Sequence, residues 1–361
     1  MIQNQFDRDK PFNTLPALPP AGDIETAVVL KKAISASRAM AELKGMAERM
    51  PNQAMLIDSL VLQEARASSE IENILTTNDE VYKAASDEAL PASAEAKEVL
   101  RYRQALNHGF RQIKTRPLAT GMFVEIAQLI KEMQFDIRSM PGTRIANGKG
   151  ETIYTPPEGE TVIRDKLREL ENFMHADDDL DVLIKMALVH YQFEAIHPFP
   201  DGNGRTGRIL NILYLVDRGL LNLPVLYLSR YIIDHKAAYY EGLRRVTEEG
   251  AWHDWVLYML DAVEQTSIRT HGQITEILAL MESVRERVQR EAPSIYNKDL
   301  IEQIFKQPYC KIQFLERAGM GTRQTCAKYL RELEGMGILK GQKMGREVYF
   351  INSALFTLLT Q

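Results

Sequence analysis

A glycine-rich turn between two apolar helical stretches constrains this chain more than any other segment. In the stretch before the turn, residues 181–196, apolar side chains recur at helical spacing, and a second apolar run begins at Ile209. Glycines at the start of a helix leave backbone N–H groups uncovered, and such a helix start binds phosphate groups. The sequence therefore predicts a helix–loop–helix with an anion site at the loop. The turn itself reads His197-Pro198-Phe199-Pro200-Asp201-Gly202-Asn203-Gly204-Arg205-Thr206-Gly207-Arg208.

The side chains of this turn supply a base, a metal ligand and two cations. His197 can accept a proton near neutral pH, because the ordinary pKa of histidine is about 6.5. Asp201 offers the hard oxygen ligands that Mg²⁺ prefers. Arg205 and Arg208 are three residues apart, so their guanidinium groups share a helix face and can reach the same polyphosphate. The segment therefore predicts chemistry at a nucleotide's phosphates.

Two common nucleotide-binding motifs provide alternatives for the same segment. Residues 202–207 also satisfy the G-x-G-x-x-G pattern of dinucleotide-binding folds, but that motif needs a strand in front of it. A P-loop is excluded because no Gly-Lys-Ser/Thr follows. The preceding residues are instead spaced as a helix, in which His190 is interpreted as a packed core histidine rather than a catalytic one. The positions with this spacing are Leu183, Met186, Val189, His190 and Phe193.

The twelve residues resemble the signature of the Fic family, H-P-F-x-D/E-G-N-G-R-x-x-R, at every specified position. Members of that family mostly transfer AMP from ATP to a Ser, Thr or Tyr hydroxyl of a target protein. The resemblance implies a mainly α fold, a Fic-type helical bundle with a β-hairpin flap. It also implies His197 as general base, Asp201 as the Mg²⁺ ligand and Arg208 on the terminal phosphate of ATP. The nucleotide site expected on this basis comprises Gly202, Asn203, Gly204, Arg205, Thr206, Gly207, Arg208 and Tyr239.

A second segment, residues 68–73, fits the pattern S/T-x-x-x-E-G/N of the inhibitory helix that self-regulating Fic proteins carry. On its own this pattern is typical of a capped, exposed helix end. Together with the central motif it predicts inhibition built into the same chain, through Ser68, Glu72 and Asn73. Glu72 beside Arg208 would form a bidentate pair and occupy the arginine that the terminal phosphate needs.

Two further features take their interpretation from the same resemblance. Asn147 and Gly148 between short apolar-bearing segments predict a β-hairpin over residues 145–155. In Fic proteins a hairpin here is a flap whose edge pairs with the main chain of the target protein, although a simple connection is an alternative. Of the pair Tyr239 and Tyr240, Tyr239 is expected beside the nucleotide's base and ribose, with core packing as the alternative.

The C-terminal segment, residues 294–361, follows a different pattern. Helices are predicted over 298–307, 311–318 and 323–336, followed by a hairpin with strands at 337–339 and 346–350. This order resembles a winged helix, in which the third helix would enter the major groove of DNA. Between 298 and 347 there are ten Lys and Arg against six Asp and Glu, in a chain of net charge −5. Protein docking or homodimer formation is the alternative use. The residues expected to face DNA are Arg323, Gln324, Lys328, Arg331, Lys340, Lys343 and Arg346.

At 361 residues the chain exceeds what one hydrophobic core usually serves, so several domains are expected. The expected division is an N-terminal helical region carrying the inhibitory motif at 1–92, a catalytic core at 93–250, a connecting helix at 251–293 and the winged-helix-like domain at 294–361. No segment has the apolar length that spans a bilayer, and no membrane association is expected. Cys310 and Cys326 are too few for a disulfide framework or a zinc site, so a cytoplasmic location is expected.

Two functions from different classes follow. The first is an enzyme that uses ATP and Mg²⁺ to transfer AMP to a target protein or to itself and is restrained by Glu72. The second is a transcription regulator whose Fic fold senses a nucleotide or a partner and whose winged helix binds DNA. The presence of both His197 and Asp201 favours the enzyme, since a binding module needs neither. A third option is that Glu72 positions a water molecule to remove AMP from a modified target.

Overall fold

The structure is a computed structural model and describes residues 6–86, 92–344 and 347–360. In these ranges the chain is mainly helical, with two small antiparallel sheets. The helices are α1 (Ala27–Glu48), α2 (Gln53–Ile71), α3 (Asn78–Ser86), α4 (Ala94–Gln112), α5 (Thr120–Lys131), α6 (Glu160–His175), α7 (Val182–Ile196), α8 (Asn203–Asp217), α9 (Leu228–Asp234), α10 (Lys236–Glu249), α11 (Trp252–Glu291), α12 (Lys298–Lys306), α13 (Ile312–Arg317), α14 (Arg323–Gly335) and α15 (Ser353–Thr360). The strands are β1 (Ile145–Ala146), β2 (Thr152–Tyr154), β3 (Tyr309–Lys311), β4 (Lys340–Met344) and β5 (Glu347–Ile351).

The chain divides into two compact units. The first comprises Met1–Ala41 and Arg101–Ser267, and the second comprises Glu42–Leu100 and Ile268–Gln361. Each unit is built from segments that are far apart in the sequence. The domains expected from the sequence are each one continuous segment, so they differ from these two units.

The core of the first unit is organised around α7, which is buried on nearly all its sides. Asp181 caps the helix, because its Oδ1 accepts hydrogen bonds from the N–H groups of Leu183 (2.8 Å) and Ile184 (3.2 Å). Helix α8 packs closely against α7 at Gly207. A Cβ atom on Gly207 would lie 3.1 Å from the Phe193 ring and closer still to the end of the Glu194 side chain, so a larger residue would make these side chains shift.

An aromatic cluster surrounds His190 on α7. Its Nε2 lies 2.9 Å from the hydroxyl of Tyr239, and its ring stacks on Trp255 at a centroid distance of 6.0 Å. Burial lowers the pKa of His190 to about 3, and the charge of Arg208 acts in the same direction. Trp255 donates a hydrogen bond to the carbonyl of Ala187 (2.8 Å). The interpretation of His190 as a packed core histidine is confirmed.

The hairpin predicted over 145–155 is present as the antiparallel pair β1–β2. The loop between the two strands runs from 147 to 151, and its left-handed glycine is Gly150, with φ of 81°. The Asn147 side chain closes this loop by accepting hydrogen bonds from the N–H groups of Lys149 (2.9 Å) and Glu151 (3.1 Å).

The N-terminal arm packs beside the end of β2. The N–H of Phe12 donates to the carbonyl of Thr155 (3.0 Å), and the Thr155 hydroxyl donates to the carbonyl of Arg8 (2.6 Å). The rings of Phe6 and Phe12 both contact Tyr154. The base of the hairpin is therefore held by backbone and aromatic contacts from the arm.

In the second unit, helices α12–α14 accompany a sheet of order β3-β5-β4. The first hairpin strand is residues 340–344 and not 337–339. Gly337 is left-handed (φ 71°), and the N–H groups of Ile338 and Leu339 donate to the carbonyl of Leu333, so these residues terminate α14 instead. Strand β3 and helix α15 were not predicted. Residue 311, expected to begin a helix, is the last residue of β3.

Among the described residues, no helix combines the length and the apolar character needed to cross a bilayer.

The packing of Trp255 gives a test of the first unit's core. Trp255 is fully buried, so Trp255→Ala should lower the free energy of unfolding by about 3–5 kcal/mol, through lost transfer energy and a cavity. Half-buried Trp252 is the matched control, and Trp252→Ala should cost only about 1 kcal/mol. The chain has two tryptophans, both in this unit, so urea unfolding can follow the fluorescence of the one that remains. Equal losses in the two variants would contradict the central role of Trp255.

Candidate active site

The turn between α7 and α8 begins and ends with a left-handed residue. His197 is the C-cap of α7, with φ 50° and ψ 58°, and its N–H donates to the carbonyl of Phe193 (3.0 Å). Gly202 is the N-cap of α8, with φ 83°. A left-handed conformation is readily adopted by glycine but costs about 1–2 kcal/mol for other residues. Surrounding contacts must therefore hold His197 in place.

The side chain of Asn203 closes the turn. Its Nδ2 donates to the carbonyl of Phe199 and its Oδ1 accepts from the N–H of Phe199, both at 2.8 Å. Asn203 and Phe199 are both buried, so these bonds satisfy backbone groups that water cannot reach. The Asn203 side chain thus shapes the turn, and only its backbone remains available to a ligand at the start of α8.

A second anchor of the turn is Arg138, which sequence reasoning missed. Its Nε donates to the carbonyl of His197 (2.7 Å), and its Nη2 donates to the carbonyls of Ile196 (3.2 Å) and Pro157. The N–H of Arg138 donates to the carbonyl of Pro198 (2.9 Å). The side chain is buried, and burial lowers its pKa from the usual value for arginine. No local pattern signals this role, since Arg138 lies in an irregular segment outside the motif.

Asp201 lies between two cations at the start of α8. Its Oδ2 is 2.6 Å from Nζ of Lys131, and its Oδ1 is 3.7 Å from Nη2 of Arg205. Partial burial would raise the pKa of Asp201, but the hydrogen bond and charge of Lys131, the N–H of Gly202 and the charge of Arg205 together hold it below its usual value. Asp201 is therefore an ionised carboxylate near neutral pH. Lys131, at the end of α5, was not singled out from the sequence.

The first turns of α8 bury an unusual amount of positive charge. The side chains of Arg205 and Arg208 are 3% and 1% exposed, and Thr206 between them is fully buried. Within the described part of the chain, the Thr206 hydroxyl has no hydrogen-bond partner. Two buried guanidinium groups beside the N-terminus of a helix favour an anion with several negative oxygens. Gly207 has a different role, because it lies at the close contact between α7 and α8.

The two tyrosines of α10 differ in their surroundings. Tyr239 is 2% exposed, its hydroxyl is bonded to His190 and its ring packs near Trp255, which favours the core-packing alternative for this residue. Tyr240 is 43% exposed and makes an edge contact with the Tyr239 ring at 5.3 Å. Tyr240 is thus the ring of the pair that a nucleotide base could reach without repacking the core.

The segment 68–73 forms the C-terminal end of α2 in the second unit. Ser68 is buried, Glu72 is the C-cap and is exposed, and Asn73 is left-handed with φ 63°. The N–H of Asn73 donates to the carbonyl of Glu70 (3.0 Å) and that of Ile74 to the carbonyl of Ser69 (3.1 Å), the bonds of a Schellman motif. The left-handed position explains why glycine or asparagine suits the end of this pattern. A carboxylate at the negative end of a helix dipole does not stabilise α2, which favours another role for Glu72.

The acidic side chains limit the kind of metal site that could form. Within the ranges that the structure describes, no group of three His, Cys, Asp or Glu side chains could hold a metal ion. Asp201 is a single, largely exposed carboxylate at the helix start. It fits Mg²⁺ bound through one carboxylate, water and phosphate oxygens, rather than an ion held in a cage of protein ligands.

The assembled groups suit chemistry at a phosphate centre. His197 ends α7 and the turn from it leads to the N-terminus of α8. Two buried guanidinium groups lie on the first turns of that helix, and an ionised carboxylate lies at its entrance. Such a site can hold a polyphosphate, stabilise charge that develops on it and accept a proton from an attacking hydroxyl.

Three successive segments of the chain match models of one protein family. Residues 30–111 match the model described as Fic/DOC family N-terminal, and residues 117–215, which contain the turn, match the model described as Fic/DOC family. Residues 280–355 match the model described as the C-terminal domain of SoFic-like protein adenylyltransferases.

Named relatives match over part of the chain. One, described as a "Probable protein adenylyltransferase" of Aquifex aeolicus, is 39% identical over 98 residues, which is 27% of this chain and 28% of the relative. A protein adenylyltransferase of Caenorhabditis elegans is 31% identical over 121 residues, which is 33% of this chain and 22% of the relative. The matches thus span less than a third of either relative's length.

Solved structures of Fic proteins share the fold. A Fic family protein from Desulfovibrio desulfuricans has a TM-score of 0.58 at 19% identity, covering 92% of this chain and 98% of the other. A Fic protein from Caenorhabditis elegans has a TM-score of 0.54 at 18% identity, covering 68% and 72%. The mainly α, Fic-type fold expected from the sequence is confirmed. From the signature at 197–208, the three matched segments and the shared fold, we conclude that this chain belongs to the Fic family.

Proposed function

We propose that this protein is an adenylyltransferase that transfers AMP from ATP to a Ser, Thr or Tyr hydroxyl of a target protein or of itself. The observation that carries the proposal is a turn that begins at His197 and leads into a helix whose first turns bury Arg205 and Arg208. The names of relatives that match about a third of the chain support the same activity. We also propose a reducing, cytoplasmic setting, since Cys310 and Cys326 are both buried free thiols.

In the proposed reaction the target hydroxyl attacks the α-phosphorus of ATP. Its oxygen forms a bond to that phosphorus, the bond to the oxygen bridging to the β-phosphate breaks, and pyrophosphate leaves with the electron pair. His197 takes the hydroxyl proton as the attack proceeds. The backbone N–H groups at the start of α8, with Arg205 and Arg208, bind the phosphates and stabilise the charge that develops on them.

Asp201 is the residue that would hold Mg²⁺ together with the nucleotide. When bound, the ion would neutralise part of the charge on the departing pyrophosphate. Lys131, whose ammonium is 2.6 Å from the Asp201 carboxylate, adds a further cation at this end of the site. An ATP tail thus meets positive charge from Lys131, Arg205 and Arg208.

The target is proposed to dock on the hairpin at 145–155. Strand β1 offers an edge to which an extended segment could add by main-chain hydrogen bonds. Side chains of the hairpin loop are exposed, whereas Tyr154 is buried and anchors β2 to α7 through a hydrogen bond from its hydroxyl to the carbonyl of Ala195 (2.8 Å). Recognition through backbone atoms would demand little of the target's sequence.

The activity is proposed to be restrained by Glu72 through competition with a terminal phosphate for Arg208. This rests on the fit of residues 68–73 to the inhibitory pattern and on the position of Glu72 at a helix end that its charge does not stabilise. A bidentate carboxylate–guanidinium pair would remove Arg208 from the phosphates.

His197 is tested by transfer of AMP from ATP labelled at the α-phosphate, in a Glu72→Gly background. His197→Ala should lower the transfer rate about 10²–10⁴-fold, because the hydroxyl proton loses its acceptor. ATP binding, measured by calorimetry, should be retained, since the phosphate-binding groups remain. The control is His253→Ala, which removes an exposed histidine of the same unit. Transfer at the control rate would exclude His197 from the mechanism.

Glu72 is tested in the full-length protein. Glu72→Gly should raise self-modification about 5–150-fold, the range of a typical coupling energy, because Arg208 becomes available to ATP. Glu72→Gln separates the charge from the shape of the side chain, and Glu70→Gln is the matched control on the same helix.

An unchanged rate in Glu72→Gly would show that residues 68–73 do not inhibit. The third option, AMP removal, predicts a different result. In that case Glu72→Gly would slow the loss of AMP from a protein modified beforehand, because the group that positions water is missing.

We further propose that residues 294–361 form a winged helix that binds DNA. The element order α12, β3, α13, α14, β4, β5 supports this, as does the exposure of long polar side chains on α14 and β4. Of the residues expected to face DNA, Arg346 lies outside the described residues. The exposed ones are Arg323, Gln324, Lys328, Arg331, Lys340 and Lys343.

DNA binding is tested by anisotropy titrations of the full-length protein against a labelled duplex at several salt concentrations. Affinity should fall linearly with salt on logarithmic axes, and removing Lys328 and Arg331 by alanine substitution should reduce the slope by about one unit per phosphate contact. Arg290→Ala is the control, because Arg290 is 71% exposed on α11. Lack of binding at low salt would favour docking or homodimer formation, which light scattering can detect.

A further inference from the structure

We propose that Arg138 is a positioning residue for His197, and that it joins the catalytic turn to the base of the hairpin. This inference rests on the proposed function, since it assigns His197 a proton-accepting role. Arg138 lies outside the signature of the family and is separated from His197 by 59 residues in the chain.

The contacts of Arg138 are concentrated on consecutive backbone groups of the turn. Its side chain donates to the carbonyls of Ile196 and His197, and its own N–H donates to the carbonyl of Pro198. The peptide groups immediately before and after the left-handed residue are thereby fixed. With both peptide groups held, the direction of the His197 side chain from its Cα is fixed as well.

The end of α7 is a favourable place for this cation. The carbonyls of Ile196 and His197 are among the last of the helix and lack partners within it, and they lie at the negative end of the helix dipole. A guanidinium group can satisfy several such carbonyls at once because its donors are held in a planar fork. Arg138 uses its fork on carbonyl oxygens, which explains how its charge is accommodated when it is only 5% exposed.

The same guanidinium group also reaches the hairpin. Its Nη2 donates to the carbonyl of Pro157, three residues beyond the end of β2. A second link runs from the Tyr154 hydroxyl on β2 to the carbonyl of Ala195 in the last turn of α7 (2.8 Å). Docking of a target on the hairpin and orientation of His197 therefore depend on the same anchor points.

Arg138→Lys is the informative variant, because lysine keeps the charge but cannot hold three carbonyls in a planar fork. In a Glu72→Gly background we expect kcat to fall about 10²-fold, the effect of a small misplacement of a reacting group, with the affinity for ATP retained. The matched control is Arg164→Lys, which changes an arginine that is 43% exposed near the same loop. Tyr154→Phe, which removes the second link, should give a smaller loss.

A second measurement does not require activity. Histidine side-chain NMR spectra of the full-length protein, with the His197 signal assigned from His197→Ala, should give one sharp imidazole signal in the parent protein. In Arg138→Lys we expect that signal to broaden or split, while the signal of buried His190 stays unchanged. In Arg138→Ala, added guanidinium ion should restore part of kcat without changing the melting temperature of the protein.

An unaltered His197 signal in Arg138→Lys would overturn the proposal. The proposal would also be overturned if lower ATP affinity and a lower melting temperature explained the whole loss of activity. If the parent protein transfers no AMP, the proposed function fails, yet the NMR comparison still decides whether Arg138 orients His197.

Discussion

The candidate active site depends on keeping a histidine in a left-handed conformation at the junction of two buried helices. His197 ends α7 with φ 50°, and six residues later α8 begins. Neither the conformation nor the tight turn is favourable by itself. Both persist because two side chains bind the backbone of the turn. Asn203 forms hydrogen bonds with the buried backbone of Phe199, and Arg138 donates a hydrogen bond to the carbonyl of His197. The chemistry of the site thus rests on hydrogen bonds made to the backbone.

Features governed by neighbouring residues were predictable from the sequence. The glycine turn between two helices is present, and so is the hairpin at 145–155. Local patterns were misleading where apolar residues can belong either to a strand or to the end of a helix. The apolar residues 338–339 were expected in a strand, but they complete the end of α14.

Features that depend on distant parts of the chain could not be predicted. Lys131 and Arg138 belong to the site only because folding brings the end of α5 and the following loop against the turn. In the sequence around Lys131 and Arg138, no local pattern distinguishes either residue from an ordinary polar residue. The same limit applies to the choice between Tyr239 and Tyr240. Adjacent tyrosines look alike in sequence, and only the packing of His190 and Trp255 decides which ring is buried.

The close contact between the two helices has a consequence for the energetics of ligand binding. Phe193 and Glu194 lie in the space beside Gly207, so α7 and α8 pack closely next to the turn that they flank. The backbone between them is organised before any ligand arrives, and a ligand that enters a preorganised loop loses less free energy on binding. The entropy of ordering this loop is therefore lost once, when the chain folds, and is not lost again each time a ligand binds.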